Sequence, residues 1–118
     1  MSSIATCVLA AVWCGAEPTS EPYGVGIVGN CCTHGAGLCA MFKGRTDTRV
    51  VGAFEKDPRR GRELAEALGA PLAGSYDEVI ANPEVAIVAV ATDPCDKADM
   101  VEKAAAAGKH IFLNKPFC

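Results

Sequence analysis

The sequence predicts an α/β protein with a single doubly wound parallel sheet and helices on both of its faces. Short apolar runs rich in Val, Ile and Ala alternate with helical stretches along the chain, and the connections between them are short. The first run is followed directly by a turn that contains glycine and then by a helical stretch. Such an alternation builds parallel strands joined by right-handed crossovers, which place helices on both sheet faces.

The composition is that of one globular domain. The chain has 118 residues, of which half are apolar, and its formal net charge is −3. This length is near the usual size of a domain. The mild acidity and the absence of a basic stripe argue against nucleic acid as a partner. No apolar run is long enough to cross a bilayer, so we predict no membrane span.

The first 22 residues differ from the rest of the chain. Residues 4–16 are apolar and rich in small side chains, as in the apolar part of a secretory signal, but no Lys or Arg precedes them. A secretory signal and a disordered extension are therefore both open interpretations. Prolines at 18 and 22 mark the boundary. We predict an N-terminal extension at 1–22 and a folded domain at 23–118.

Seven cysteines occur without a CxxC pair or a regular spacing. An odd and unpatterned set indicates reduced thiols, which favours a cytoplasmic location over export. Cys31, Cys32, His34 and Cys39 lie within nine residues and carry zinc-ligand atoms. Adjacent cysteines point apart, however, and the spacing matches no zinc pattern, so we predict no metal site.

The first half of the chain predicts a strand, a turn, a helix and a second strand. Residues 25–28 are a continuous apolar run, typical of a parallel strand buried on both faces. Gly29 opens the turn, and residues 36–42 are apolar enough for a helix that packs on the sheet. Residues 49–54 form the second strand, which ends at Glu55.

Two helix starts follow. Asp57-Pro58 is typical of a helix N-terminus, because Asp accepts hydrogen bonds from free N–H groups and Pro has no N–H to lose. Residues 71–73 predict a short extended piece. Ser75 and Glu78 form the pattern of a capping box, in which each side chain accepts a hydrogen bond from the other's backbone N–H.

The second half repeats the strand and helix pattern. Residues 85–91 give the strongest strand signal in the sequence, VAIVAVA. Asp93-Pro94 is a second Asp-Pro helix start. Gly108 ends that helix, and His110–Leu113 is the last predicted strand.

Ligands of open α/β sheets bind beyond the carboxyl ends of the strands, where the strand order reverses. The turn after the first strand is the first candidate, because the helix behind it directs N–H groups and a positive dipole end toward a pyrophosphate. The strict pattern G-x-G-x-x-G is not met. Counting from Gly29, Cys31 and His34 stand at the second and third glycine positions, and Gly35 follows. We predict that Gly29, Asn30, Cys31, His34 and Gly35 line the pyrophosphate site, although a Cβ at Cys31 crowds the approach.

Glu55 stands at the end of the second strand, where an acid accepts hydrogen bonds from the hydroxyls of an adenosine ribose. Its negative charge repels a 2′-phosphate and so favours NAD. Lys56, which we also place in the site, and the nearby Arg59 and Arg60 leave NADP as the alternative.

Lys115 directly follows the last predicted strand, and Pro116 restricts the backbone beside it. A lysine at this edge donates a hydrogen bond or a proton to a developing alkoxide, so we predict that Lys115 is catalytic. The alternative is a solvent-facing lysine.

The chain resembles the N-terminal domain of the glucose–fructose oxidoreductase and inositol dehydrogenase family (Gfo/Idh/MocA). The likeness covers residues 23–117, and its most specific part is GKHIFLNKP, which is similar to the family segment GKHV-x-x-EKP. The sequence departs from the family at Asn114, where Glu is usual, and at residues 93–97, where Pro-Asn and then His are usual.

The resemblance implies a Rossmann-type domain of an NAD(P)-dependent oxidoreductase acting on a sugar, a cyclitol or a related polyol. It implies that the turn at Gly29 holds the pyrophosphate and that Glu55 holds the ribose. Ala91 and Thr92 would line the nicotinamide side, and Lys115 would contact nicotinamide and substrate. The family's substrate domain would follow residue 118, so we expect a fragment that is not catalytically complete alone. The alternative is a non-catalytic nucleotide-binding or interaction module with the same fold.

Overall fold

The computed structural model describes residues 21–31 and 33–116. These residues form four strands and four helices, and a helix follows each of the first three strands, with two helices between the second and the third. The strands are β1 (Tyr23–Val28), β2 (Thr48–Phe54), β3 (Ile87–Val90) and β4 (His110–Leu113). The helices are α1 (Thr33–Lys43), α2 (Pro58–Leu68), α3 (Tyr76–Ala81) and α4 (Pro94–Ala106). The predicted signal-like segment at 4–16 and Cys32 lie outside the described residues. Within the described part of the chain, no helix has the length and apolar character needed to cross a membrane.

The strands form one sheet in the order β2-β1-β3-β4, and every pairing is parallel. The predicted α/β fold is therefore confirmed. The predicted extended piece at 71–73 lies beyond β2, where Leu72 forms an isolated parallel bridge with Ala53. The strand predicted at 85–91 is shorter, since only Ile87–Val90 has the full pairing.

Two hydrophobic cores cover the two sheet faces, because successive strand side chains point to opposite sides. The helices α1 and α2 cover one face, and the buried members of that core are Val25, Ile27, Leu38, Cys39, Phe42, Ala53, Leu64, Leu68, Ala89 and Ala91. The helices α3 and α4 cover the other, with Val28, Tyr76, Val79, Val85, Val88, Val90 and Ala104. Cys39 is a core residue, and burial raises the pKa of its thiol.

The helix predicted at 36–42 begins three residues earlier, at Thr33. Gly35 and Gly37 resemble loop residues in the sequence, but both lie within α1. Gly35 is buried, and a Cβ there would lie 2.4 Å from Asn30 Oδ1 and 3.0 Å from its Cα. The glycine therefore lets the helix start close to the end of β1. The turn between β1 and α1 is accordingly short, since β1 ends at Val28 and α1 begins at Thr33.

The three predicted helix caps have different outcomes. At α2, Asp57 accepts hydrogen bonds from the backbone N–H groups of Arg59 and Arg60, both at 2.9 Å. At α3 only half of the capping box forms. Ser75 Oγ accepts from Glu78 N at 3.2 Å, whereas the Glu78 carboxylate accepts from Gly74 N.

At α4 the helix begins at Pro94 as predicted, but the Asp93 side chain makes no capping hydrogen bond. The expectation of a second Asp cap is therefore wrong. The Asp93 carboxylate is engaged on the other side, at the carboxyl edge of the sheet.

The Ser75 cap gives a test of this packing. We expect Ser75→Ala to lower the free energy of unfolding by about 1 kcal/mol, because the Glu78 N–H loses its side-chain acceptor. Urea denaturation measures this change. Ser75→Thr keeps the acceptor oxygen and is the control. Equal stability of the alanine and threonine variants would contradict the cap.

Candidate functional site

The strand order reverses between β1 and β3, which are neighbours in the middle of the sheet. The chain leaves β1 into α1, which packs on one face, and leaves β3 into α4, which packs on the other. The two connections therefore separate at the carboxyl ends of these strands and leave a crevice between them. This is where open α/β sheets bind ligands.

Gly29 forms the floor of the crevice on the β1 side. Its φ is +89°, a value that residues with a Cβ rarely adopt. A Cβ at this position would lie 2.6 Å from Thr92 N and 2.7 Å from the carbonyl carbon and oxygen of Ala91. The turn thus touches the backbone that follows β3, and Cys31 N donates to Ala91 O at 3.1 Å. The close contact between the turn after β1 and the backbone after β3 is therefore sufficient to require glycine at position 29.

The first turn of α1 contains no acidic residue, so no side-chain charge there opposes an anion at the helix N-terminus. Cys31 lies in the turn between Gly29 and this helix, half-buried, and its thiol donates to Asp93 Oδ1 at 2.9 Å. The side chain of His34 lies outside the described part of the structure. The predicted residues Gly29, Asn30, Cys31 and Gly35 do lie together at this end of the sheet.

Glu55 lies beside them, and only 5% of its side chain is exposed. One carboxylate oxygen accepts from Asn30 N at 2.6 Å, and the other accepts from Asp57 N at 2.9 Å. Arg60 Nη2 lies 3.3 Å from that second oxygen. A carboxylate offers about four acceptor positions, so three donors leave room for one more. Glu55 therefore connects the turn after β1 to the start of α2.

Charged side chains extend this connection across the crevice. Arg60 Nη2 also lies 3.7 Å from Asp93 Oδ2, and Lys56 Nζ lies 3.6 Å from Asp96 Oδ2. The negative charge of Glu55 raises the pKa of Arg60. The hydrogen bond from the Cys31 thiol lowers the pKa of Asp93, as do the charges of Arg60 and Lys56.

Thr92 lies at the other wall of the crevice, directly after Ala91. It is 9% exposed, and within the described residues its hydroxyl oxygen has no hydrogen-bond partner although that atom is buried. Buried hydroxyls in proteins are nearly always hydrogen-bonded, so an exception needs an explanation. The Thr92 hydroxyl is therefore a candidate for a hydrogen bond to a bound ligand.

A cleft of about 330 Å³ opens next to the crevice, between the end of β2 and the helices α3 and α4. Its lining combines apolar and charged side chains: Phe54, Lys56, Tyr76, Asp96, Asp99, Met100 and Lys103. The Tyr76 hydroxyl donates to Met100 O, and burial raises the pKa of Tyr76 to about 12. Among the described residues no group of three or more His, Cys, Asp or Glu side chains is placed to hold a metal ion.

Comparison with known proteins agrees with this geometry. Residues 23–118 match the sequence profile of the Gfo/Idh/MocA oxidoreductase family, described as its NAD-binding Rossmann fold. The chain belongs to this family.

The curated relatives that the chain matches are named as oxidoreductases or as a dehydrogenase, and solved structures with bound NAD or NADP+ share its fold. Trans-1,2-dihydrobenzene-1,2-diol dehydrogenase of Oryctolagus cuniculus is 34% identical over 73 residues, which are 61% of this chain and 22% of that protein. Biliverdin reductase of Synechocystis sp. PCC 6803, solved with biliverdin and NADP+, has a TM-score of 0.75 and 26% identity over 83% of this chain and 31% of its own. GenD2 from gentamicin A biosynthesis, solved with NAD, has a TM-score of 0.76 and 25% identity, with 87% and 29% covered.

The chain spans only 16–22% of the length of the curated relatives that it matches. It is therefore equivalent to the NAD-binding domain of Gfo/Idh/MocA oxidoreductases and not to their full length.

Lys115 is exposed and follows β4, and its backbone N–H donates to Asn114 Oδ1 at 3.0 Å. Its location at the carboxyl edge agrees with the sequence prediction. The bond between Lys115 and Pro116 is cis.

The pairings of three charged residues at this edge were not predicted. Asp93 resembled a helix cap, Arg60 was considered only as a contact for the 2′-phosphate of NADP, and Lys97 was given no role. Each of them pairs with groups from another part of the chain. Their sequence neighbours carry no signal of these distant partners.

The thiol of Cys31 provides a test of this pairing. We expect Cys31→Ala to raise the pKa of Asp93, because a hydrogen bond to the ionised carboxylate is lost. Carboxyl-carbon NMR titration measures the shift. The folded-state pKa of Asp93 is lowered, so its contribution to stability is present above the unfolded-state pKa and is lost as pH falls through the folded-state pKa. Cys31→Ala should therefore weaken the pH dependence of unfolding in that acidic range.

Cys95 is the matched control, since its thiol lies exposed in α4. Cys95→Ala should leave the Asp93 titration unchanged. An Asp93 titration that is the same in the Cys31→Ala variant and in the wild-type protein would disprove the role given to the thiol.

Proposed function

We propose that this chain binds NAD across the crevice between β1 and β3 and forms the cofactor half of an oxidoreductase that acts on a sugar, a cyclitol or a related polyol. The observation that carries the proposal is the meeting of the Gly29 turn with Thr92, whose buried hydroxyl has no partner within the described residues. A glycine turn at the reversal of strand order, next to a residue with an unused polar group, fits a polar ligand.

The dinucleotide parts are assigned to groups along this edge. The pyrophosphate lies at the Gly29 turn and the N-terminus of α1, where N–H groups and the helix dipole favour an anion. The adenosine ribose lies at Glu55, which has acceptor capacity left. The adjacent cleft next to Phe54 and Met100 has apolar walls suited to the adenine ring. Ala91 and Thr92 then line the nicotinamide side.

The charges near Glu55 favour NAD over NADP. Arg60 lies between Glu55 and Asp93, and Lys56 is paired with Asp96, so these cations are already compensated by acids. A 2′-phosphate at the ribose would meet the carboxylates of Glu55 and Asp93, and repulsion between like charges would oppose it.

NAD supplies the hydride acceptor of the reaction when it is bound. The contribution of this chain is to orient it and to provide Lys115 at the end of β4. When the substrate hydroxyl is oxidised and its hydride passes to NAD, Lys115 takes up the hydroxyl proton. In the reverse direction, carbonyl reduction by NADH, Lys115 returns that proton to the oxygen on which negative charge develops. A hydroxyl-bearing substrate suits this role, and the name of the rabbit relative, a diol dehydrogenase, supports it.

The domain bounds and the cellular location are also proposed. We assign residues 1–22 to an extension and residues 23–118 to the binding domain, and we infer a cytoplasmic location. The location is supported by Cys31, Cys39 and Cys95, which are thiols and not disulfides in the described part of the chain.

Direct titration of the purified chain tests the function. We expect saturable NADH binding by fluorescence or calorimetry, and weaker binding of NADPH. Absence of binding to both at millimolar concentration would overturn the proposal and favour the interaction module without nucleotide.

Glu55→Gln tests the ribose assignment. We expect NAD affinity to fall by about 1–3 kcal/mol, as for one lost charge-assisted hydrogen bond. NADP affinity should fall less, because removing the negative charge also removes the repulsion of the 2′-phosphate. The NAD to NADP preference, measured by calorimetry, should narrow.

Glu63→Gln is the matched control, since Glu63 is an exposed acid of α2 that faces Arg59. It should change neither affinity. Thermal unfolding of both variants checks that the fold is retained, and an unchanged preference in a folded Glu55→Gln variant would remove Glu55 from the ribose site.

A further inference from the structure

Lys97 is a buried lysine close to the start of α4, with 2% of its surface exposed. An ammonium group loses its hydration when it is buried, so it must find protein acceptors. Lys97 Nζ donates to Asn114 O at 2.9 Å and to Pro116 O at 2.5 Å. Within residues 21–31 and 33–116, none of the ion pairs involves Lys97.

The two carbonyl groups that accept from Lys97 flank Lys115. The segment is also joined to β3, because Asn114 N donates to Val90 O at 3.0 Å. The backbone is thus held on both sides of Lys115, while the Lys115 side chain itself is exposed. A cation near the start of α4 therefore fixes the segment that leaves β4.

We propose that Lys97 is a positioning residue, which holds residues 114–116 so that Lys115 faces the nicotinamide end of the crevice. The proposal rests on the proposed function, in which Lys115 acts beside the nicotinamide. It concerns a residue that touches neither the dinucleotide nor the substrate and that acts only through the backbone next to Lys115.

Lys109 provides a matched comparison within the same sheet. Its Nζ also donates to two loop carbonyls, Asn82 O at 3.1 Å and Val85 O at 2.8 Å. The two carbonyl groups precede β3, and Lys109 itself precedes β4. This second lysine therefore lies at the amino edge of the sheet, opposite the crevice. A purely structural effect of removing an ammonium from two carbonyls should appear in both variants.

The experiment compares Lys97→Met with Lys109→Met in the 118-residue chain. NADH and ADP-ribose, which lacks the nicotinamide, are titrated into each variant. We expect Lys97→Met to lower the ratio of NADH affinity to ADP-ribose affinity by about three- to tenfold, as for one lost hydrogen bond. Lys109→Met should leave the ratio at its wild-type value.

Lys115→Ala should lower this ratio as much as Lys97→Met, and the double variant should lower it no further, because the two residues act as one unit. Lys97→Gln keeps two N–H donors, so its ratio of NADH affinity to ADP-ribose affinity should lie between the ratios of the wild-type chain and of Lys97→Met. If Lys97→Met does not fold, Lys97→Gln takes its place in the comparison with Lys109→Met. A wild-type ratio in both folded Lys97 variants, or an equal loss of NADH and ADP-ribose binding, would overturn the proposal.

A second readout needs no ligand. Hydrogen exchange of the Lys115 backbone amide, followed by NMR, should be faster in Lys97→Met and unchanged in Lys109→Met. Equal exchange rates of this amide in the two variants would show that Lys97 does not hold the backbone next to Lys115. If the wild-type chain bound neither NADH nor ADP-ribose, the proposed function would fail, and the exchange measurement would decide about Lys97 by itself.

Discussion

The buried carboxylate of Glu55 is the constraint on which the carboxyl edge of this sheet depends. A carboxylate with so little exposure is stable only when its oxygens accept strong hydrogen bonds. The chain supplies them from the turn after β1 through Asn30, from the start of α2 through Asp57, and from the guanidinium of Arg60. One side chain therefore sets the relative position of three segments that surround the crevice.

The consequences reach α4, because Arg60 brings Asp93 into the same network. Asp93 occupies the capping position of α4 but gives its carboxylate to Arg60 and to the Cys31 thiol. The helix therefore starts with Pro94 alone, without a side-chain cap. Local rules are often broken at functional sites. Here the missing cap lies next to Thr92, whose hydroxyl has no hydrogen-bond partner among the residues that the structure describes. The carboxylate at the capping position of α4 thus takes part in the pairing at the carboxyl edge of the sheet instead of capping the helix.

Local patterns predicted most of the fold. The runs at β1 and β3, the Asp57-Pro58 start of α2 and the strand His110–Leu113 are visible because their signals lie within a few residues. The start of α1 was misplaced, since the glycine at 35 resembles a loop residue until its contact with Asn30 is known. The predicted hydrogen bond from Ser75 N to the Glu78 carboxylate was also wrong, because this carboxylate accepts from Gly74 N instead.

The sequence by itself determined that strands and helices alternate, and from this that the sheet is parallel and that its carboxyl edge gathers Gly29, Glu55, Thr92 and Lys115. Only the tertiary structure decided which charged groups pair there. Asn30 and Glu55 are 25 positions apart, and Cys31 and Asp93 are 62 apart. Lys97 reaches carbonyls that belong to the segment after β4. Secondary structure follows periodicities of a few residues, whereas these partners depend on strand order and on which face each helix covers.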